Sequence, residues 1–325
     1  MASFHPLDSS QSPRFAQPAT FMRLPHTHDL TGVDVALLGV PFDGGVSFRP
    51  GTRFGPGEIR QHSRLIRTYH PALAVSPFEV LHVADVGDVD VHPLDIKETQ
   101  ARVEAAVTAI LEAGAVPIAV GGDHSLSLGT LRAIVRRHGP VGLVHIDAHQ
   151  DMWTSYFGNP YFHGTPFRRA VEEGLLDVRR VVQVGIRGSV NAPTDFDFAR
   201  AHGIHTIRAE DVAQQGLEWV KTQLLTIRGG PLYLSFDIDG IDPAFAPGTG
   251  TPEVGGLTSR EAVDLVRALV GLPLVGADLV EVSPPYDHSD ITSLLAANLL
   301  FEMIAVLAAT RVGATAEAGA RAPRA

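Results

Sequence analysis

The sequence predicts an α/β fold: a mostly parallel sheet with helices on both faces. Three observations carry this. Short apolar runs alternate with segments of helical period along nearly the whole chain. Polar and acidic residues gather just past the carboxyl ends of those runs, where open α/β sheets place their ligands. The 325 residues are 45% hydrophobic with no linker or composition break in the middle, which favours one large domain. Residues 1–31 read as an N-terminal arm, 32–310 as the single domain, and 311–325, low in large apolar residues, as a disordered tail.

Residues 33–41 open the domain as a strand and run into a Gly-rich loop over 42–57. The loop has neither a G-x-G-x-x-G fingerprint nor the Lys-Ser/Thr pair of a phosphate-binding loop, so it reads as rigid and structural. Pro56 suits the start of a helix over 58–67. Residues 81–85 form a short strand. Asp95 can cap the next helix, whose apolar positions Val103, Val107, Ile110 and Leu111 fall at helical spacing before Gly114 ends it. A strand over 116–120, a helix over 126–138 and a strand over 141–146 follow. Residues 175–182 lead into a strand over 182–187, and 232–236 is another. Thr258-Ser-Arg-Glu261 matches a capping box that opens a helix stopping before Gly271. A strand over 274–282 and a helix over 294–307, apolar almost all round and therefore buried, close the domain.

Composition narrows the chemistry. Without cysteine, disulfides and thiolate ligands are excluded, and any metal must use His, carboxylate or water. The formal charge of −10 argues against a general nucleic-acid binder and is compatible with cationic substrates. Neither end reads as a targeting signal. No stretch approaches the ~20 apolar residues that span a bilayer, so no membrane partner is expected and the expected compartment is the cytoplasm.

The chemistry concentrates in His145-Ile-Asp-Ala-His-Gln-Asp151. If the strand persists to its end, Asp147, His149 and Asp151 share one face. Two carboxylates and an imidazole there repel and desolvate one another unless a cation sits between them. Taken alone, the motif serves a metal site or a polar strand end equally well. His124 follows the strand 116–120, and Asp237 and Asp239 end the strand 232–236. Each has a bland reading: Asp237 and Asp239 as turn formers, His124 as a helix-entry residue beside Ser125. Three such coincidences at three strand ends argue for one site. Four carboxylates and two imidazoles balance two divalent cations at roughly 3.5 Å separation. Oxygen-rich, sulfur-free ligation favours Mn²⁺. His145 reads as a core or supporting histidine.

Gly121-Gly-Asp-His-Ser125, Asp147-Ala-His-Gln-Asp151, His163-Gly-Thr-Pro-Phe-Arg-Arg-Ala170, the run from Ser235 to Pro252, and Glu281-Val-Ser-Pro-Pro-Tyr-Asp287 together resemble the ureohydrolase family. Agmatinases and guanidino-acid hydrolases such as guanidinobutyrase are its nearest members. The resemblance spans residues 12–307. It implies the three-layer α/β/α arginase–deacetylase fold, two Mn²⁺ per subunit, hydrolysis of a guanidinium group to urea and an amine, and homotrimers or homohexamers. By the family pattern, His124, Asp147, Asp151 and Asp237 hold one ion; Asp147, His149, Asp237 and Asp239 hold the other. Asp151 also manages the nucleophile's proton, Glu281 pairs with the guanidinium, and His163 shuttles protons.

The loop over 152–162 lacks the Asn, Thr and Ser set with which arginases read an α-amino acid, which argues against arginine. Trp153, Tyr156, Phe157, Tyr161 and Phe162 offer an aromatic channel for an alkyl chain, or simply pack the loop. Agmatine, yielding putrescine and urea in polyamine biosynthesis, is the expected substrate. Guanidinobutyrate or guanidinopropionate is the alternative, its carboxylate met by Arg187 or a neighbouring subunit. A one-zinc deacetylase conflicts with the complete two-metal set. A non-catalytic oligomeric regulator conflicts with the retention of every ligand, His163 and Glu281.

Overall fold

Seven apolar runs, and one short segment that is not apolar, become strands; parallel strands covered on both faces favour near-continuous Val, Ile and Leu. They are β1 (Val35–Val40), β2 (Val83–Asp88), β3 (Val116–Gly121), β4 (Val141–Ile146), β5 (Leu176–Ile186), β6 (His205–Arg208), β7 (Leu232–Asp237) and β8 (Leu274–Val280). The structure is a computed structural model; it describes the chain over residues 4–321 and its side chains through residue 316. The sheet order is β2-β1-β3-β8-β7-β4-β5-β6, and every pairing is parallel.

Between and after the strands run α1 (Gly55–Ser63), α2 (Pro77–Val80), α3 (Ile96–Glu112), α4 (Leu126–His138), α5 (Pro166–Glu172), α6 (Asp197–Ala201), α7 (Ala209–Gln215), α8 (Leu217–Leu225), α9 (Ser259–Arg267) and α10 (Ile291–Arg321). Alternate strand residues feed two cores. Val35, Leu37, Val144 and Leu234 pack with α1, α2 and α7 to α10. Ala36, Leu38, Leu143 and Tyr233 pack with α3 to α6. The result is three layers, helix–sheet–helix. The expected caps form: Asp95 accepts from the Lys97 and Glu98 N–H groups, and Thr258 with Glu261 closes a capping box.

Several boundaries differ from the sequence reading. α1 starts three residues early, and β2 starts two residues late. Residues 188–231, where sequence patterning marks nothing, hold β6 and α6 to α8. β6 is only four residues long with one fully buried side chain, Ile207, too short to carry a period. α10 begins at Ile291 and continues past 307 into the expected tail, because its Ala, Glu and Arg residues favour helix whatever their polarity. Residues 322–325 of that tail, and residues 1–3 of the arm, lie outside the described residues. The arm's Phe21, Met22 and Leu24 are buried in the body, and the Phe21 N–H donates to Asp85.

The expectation that no stretch is long and apolar enough to cross a membrane is corrected. Residues Ile291–Ala316 form such a helix by length and composition. Most of its apolar window is buried against α1, α2, α9 and β8, as a core helix requires.

Candidate metal centre

β3, β8, β7 and β4 are adjacent in the sheet centre, so their carboxyl ends deliver His124, Glu281, Asp237 and Asp147 to one place. Gly122 shapes the first of these turns. A Cβ there would lie 2.1 Å from the Phe42 carbonyl oxygen, so only glycine fits. Its N–H donates to the Val40 carbonyl, and its carbonyl accepts from the Glu281 N–H.

The ligand candidates converge, but not by an extended strand. β4 stops at Ile146, and the Asp147 carboxylate then accepts the His149 N–H at 2.6 Å. Asp151 is reached through a left-handed backbone, φ +52°. β7 stops at Asp237, whose carboxylate accepts the Asp239 N–H at 2.8 Å. The same Asx turn thus sets both D-x-H and D-x-D pairs, in place of the i, i+2 alternation that the sequence suggests.

Two groups result, sharing Asp147: His124 with Asp147, Asp151 and Asp237, and His149 with Asp147 and Asp239. His124 Nδ1 lies 3.2 Å from Asp147, 2.9 Å from Asp151 and 3.1 Å from Asp237, yet makes no hydrogen bond though fully buried. His149 Nδ1 lies 3.4 Å from Asp147 and 3.2 Å from Asp239. Asp237 enters only the first group; its other oxygen is taken by the Asp239 N–H.

The electrostatics are lopsided. Burial pushes Asp237 well above the usual carboxylate range, and the charges of Asp239 and Asp147 push it further. Burial would raise Asp147 as well, but His145, His124 and His149 hold it well below. Burial opposes protonation of His124, yet Asp147, Asp151 and Asp237 raise it well above its ordinary value. Such crowding, with a buried imidazole nitrogen aimed at three carboxylates, is what divalent cations relieve. The donor set fits two of them.

Glu281 and His163 stand beside this centre. Glu281 is fully buried at φ +66°, a strained setting for a non-glycine residue. One carboxylate oxygen accepts from the His124 N–H at 2.8 Å and from His163 Nδ1 at 2.9 Å; the other, Oε2, has no partner. Burial works against a charge on His163, but Glu281, then Asp151 and Asp123, push its pKa up to about 9.

Ser47 completes the arrangement. Its Oγ is 2.6 Å from His163 Nε2 and its N–H is 3.1 Å away. The imidazolium can donate to that hydroxyl; the neutral ring can accept from that N–H. Sequence reasoning missed Ser47 by reading the Gly-rich loop as structural only. Its place at the carboxyl end of β1 was the available signal. The loop does brace the site: Gly45 donates to Asp123 at 2.7 Å and accepts from the His163 N–H.

The 152–162 loop packs upon itself. Tyr156 stacks on Phe162 at 5.3 Å, Trp153 meets Phe162 edge-on, and Phe162 meets His163 at 5.7 Å. Trp153 and Tyr156 remain partly exposed beside the site. Phe157 points to solvent, and Tyr161 lies under Lys97 instead.

Arg187 does not serve as a carboxylate reader. Its guanidinium is buried and donates to the carbonyls of Gly185, Asp239, Gly240, Ile241, Glu253 and Val254. Five fixed donors are fully spent on holding the loop that carries Asp239.

A model of the arginase family matches residues 33–305. Guanidinobutyrase of Pseudomonas aeruginosa is 51% identical over 93% of this chain and 96% of its own length. Guanidinopropionase of the same organism is 50% identical over 93% and 96%. The solved structure of proclavaminate amidino hydrolase from Streptomyces clavuligerus superimposes with a TM-score of 0.89 at 42% identity, covering 92% of this chain and 100% of that one.

Proposed function

The chain belongs to the arginase family, and from that premise we propose that it hydrolyses ω-guanidino acids, guanidinobutyrate first, to urea and the amino acid. Metal-dependent hydrolysis of a guanidino compound comes with the family. The choice of an acid rests on one observation: half-identity, along nearly the whole of both chains, to a guanidinobutyrase. Agmatine, first by sequence alone, becomes the second reading; the acidic net charge of −10 is what favours it.

His124, Asp147, Asp151 and Asp237 would hold one ion; Asp147, His149 and Asp239 would hold the other. Two Mn²⁺ are the expected pair, and when bound they supply Lewis acidity that activates water near neutral pH. Glu281 binds the guanidinium through charge-assisted hydrogen bonds, its unpartnered Oε2 leading. Asp151 orients the water and takes up its proton. His163 carries a proton at Nε2 toward the departing nitrogen, with Ser47 offering a partner in either protonation state.

Trp153 and Tyr156 wall the alkyl chain and exclude water. With Arg187 committed, the cation for a carboxylate tail is Arg49. It makes no ion pair among the described residues and lines a cavity of about 420 Å³ with Val254 and Tyr286. A homotrimer or homohexamer in the cytoplasm belongs to the same proposal.

Urea release with added Mn²⁺ tests it across guanidinobutyrate, guanidinopropionate, agmatine, arginine and guanidine. The highest kcat/KM is expected on guanidinobutyrate. A higher value on agmatine selects the second reading, and no urea from any of them overturns both.

A further inference from the structure

Below the candidate ligands a row of polar residues crosses five adjacent strands. Strand register aligns Thr206 with Gln183, Gln183 with His145, His145 with Ser235, and Ser235 with Asp278. All but Thr206 are fully buried. Central parallel strands are ordinarily apolar, and a buried polar group is costly unless hydrogen-bonded. Here every member is bonded, and the bonds lead upward to the site.

At one end stands Asp278, a buried carboxylate that makes no ion pair among the described residues. It accepts from Ser127 at 2.6 Å, Tyr233 at 2.5 Å and Ser235 at 2.6 Å. Ser235 has one proton, and it goes to Asp278. Its oxygen must then accept from His124 Nε2, 2.8 Å away. In the neutral ring, the form that can bind a cation, His124 Nδ1 is then the lone pair facing Asp147, Asp151 and Asp237.

At the other end the Gln183 amide is oriented on both sides. Its oxygen accepts from Gln150 and Thr206; its nitrogen donates to the Gln150 carbonyl and to His145 Nδ1. His145 must therefore carry its proton on Nε2, donated to Asp147 at 2.7 Å.

We propose that this row is the positioning layer of the metal centre. Asp278, acting through Ser235, fixes the tautomer and tilt of His124. Gln183, acting through His145, fixes the Asp147 carboxylate. None of Asp278, Ser235 and Gln183 touches the reacting atoms. The inference rests on the reading of His124 and Asp147 as metal ligands. Outer partners of this kind tune ligand geometry and basicity, and their loss typically weakens metal binding about 10–100-fold.

Asp278→Asn tests the first arm. Calorimetric titration with Mn²⁺ should show one of the two sites weakened about 10–100-fold and the other unchanged, with kcat reduced and KM held. In the ¹⁵N-histidine spectrum of the protein loaded with diamagnetic Zn²⁺, the Nε2–H signal of His124 should shift. Should Asp278→Asn not fold, Ser235→Ala and Ser235→Thr replace it: the alanine should lose affinity at one site and the threonine, which keeps a hydroxyl, should restore it. Two wild-type-like sites in folded Asp278→Asn, or in Ser235→Ala, overturn the inference. A wild-type chain that binds no Mn²⁺ overturns the metal reading itself, and the inference with it.

Discussion

His163 Nδ1 donates to Glu281 Oε1 at 2.9 Å, and the same oxygen accepts the His124 N–H. Both lone pairs of Oε1 are therefore used, while Oε2 has no partner. A guanidinium that clasps Glu281 with two parallel bonds must displace His163 from Oε1. On the proposed function, substrate arrival and release of His163 become a single event.

Glu281→Gln keeps the shape but removes the charge that, on the proposed function, meets the guanidinium. Losing one side of a buried charged pair costs about 2–5 kcal/mol, so kcat/KM should fall by roughly two to three orders of magnitude. Mn²⁺ content, measured by elemental analysis, should stay at the wild-type level. A matching loss of metal would instead place Glu281 among the ligands.

Asp151→Asn should abolish urea release, by about 10³-fold or more, if Asp151 is the ligand and proton acceptor proposed above. One of two ions should be lost or loosened while the circular dichroism spectrum holds. Activity within tenfold of wild type would remove Asp151 from the mechanism.

The His163–Glu281 pair predicts a pH dependence of stability after chelation. His163 has a folded pKa near 9, above its ordinary 6.5. A raised pKa gives stabilisation that is complete below pH 6.5 and lost as pH rises through about 9. Urea unfolding at pH 6, 8 and 10 should show this decline, and His163→Gln should flatten it. An identical slope in both proteins would show that the pair contributes nothing.

Arg187→Lys should destabilise the fold, because an ammonium has three donors where the guanidinium serves six carbonyls. Unfolding free energy should drop by about 2–4 kcal/mol. If stability holds while only KM for carboxylate substrates rises, Arg187 reads substrate after all.

Much of this was legible in the chain. The strands with apolar runs of five residues or more announced themselves, and so did the candidate ligands, because His and Asp that each alone read as turn or helix-entry residues coincide at three strand ends. The geometry was less legible. Alternation on a continuing strand suggested that Asp147, His149 and Asp151 share a face, whereas a backbone turn at Asp147 and a left-handed Asp151 bring them together. Arg187 looked free because a sequence does not display carbonyl acceptors. Ser47 and Asp278 were hidden for opposite reasons: one sits in a loop rich in glycine, the other is a single acid inside an otherwise apolar strand.

The paired turns at Asp147 and Asp237 carry one more consequence. Each closes on its own backbone N–H, so both arms of the cradle are braced before any ion arrives. Folding and loading are then separate steps. A chelator should strip the protein to a folded apo form, and Mn²⁺, Co²⁺ or Ni²⁺ should each refill it without a refolding phase. Which ion a given preparation carries then depends on what its surroundings provide.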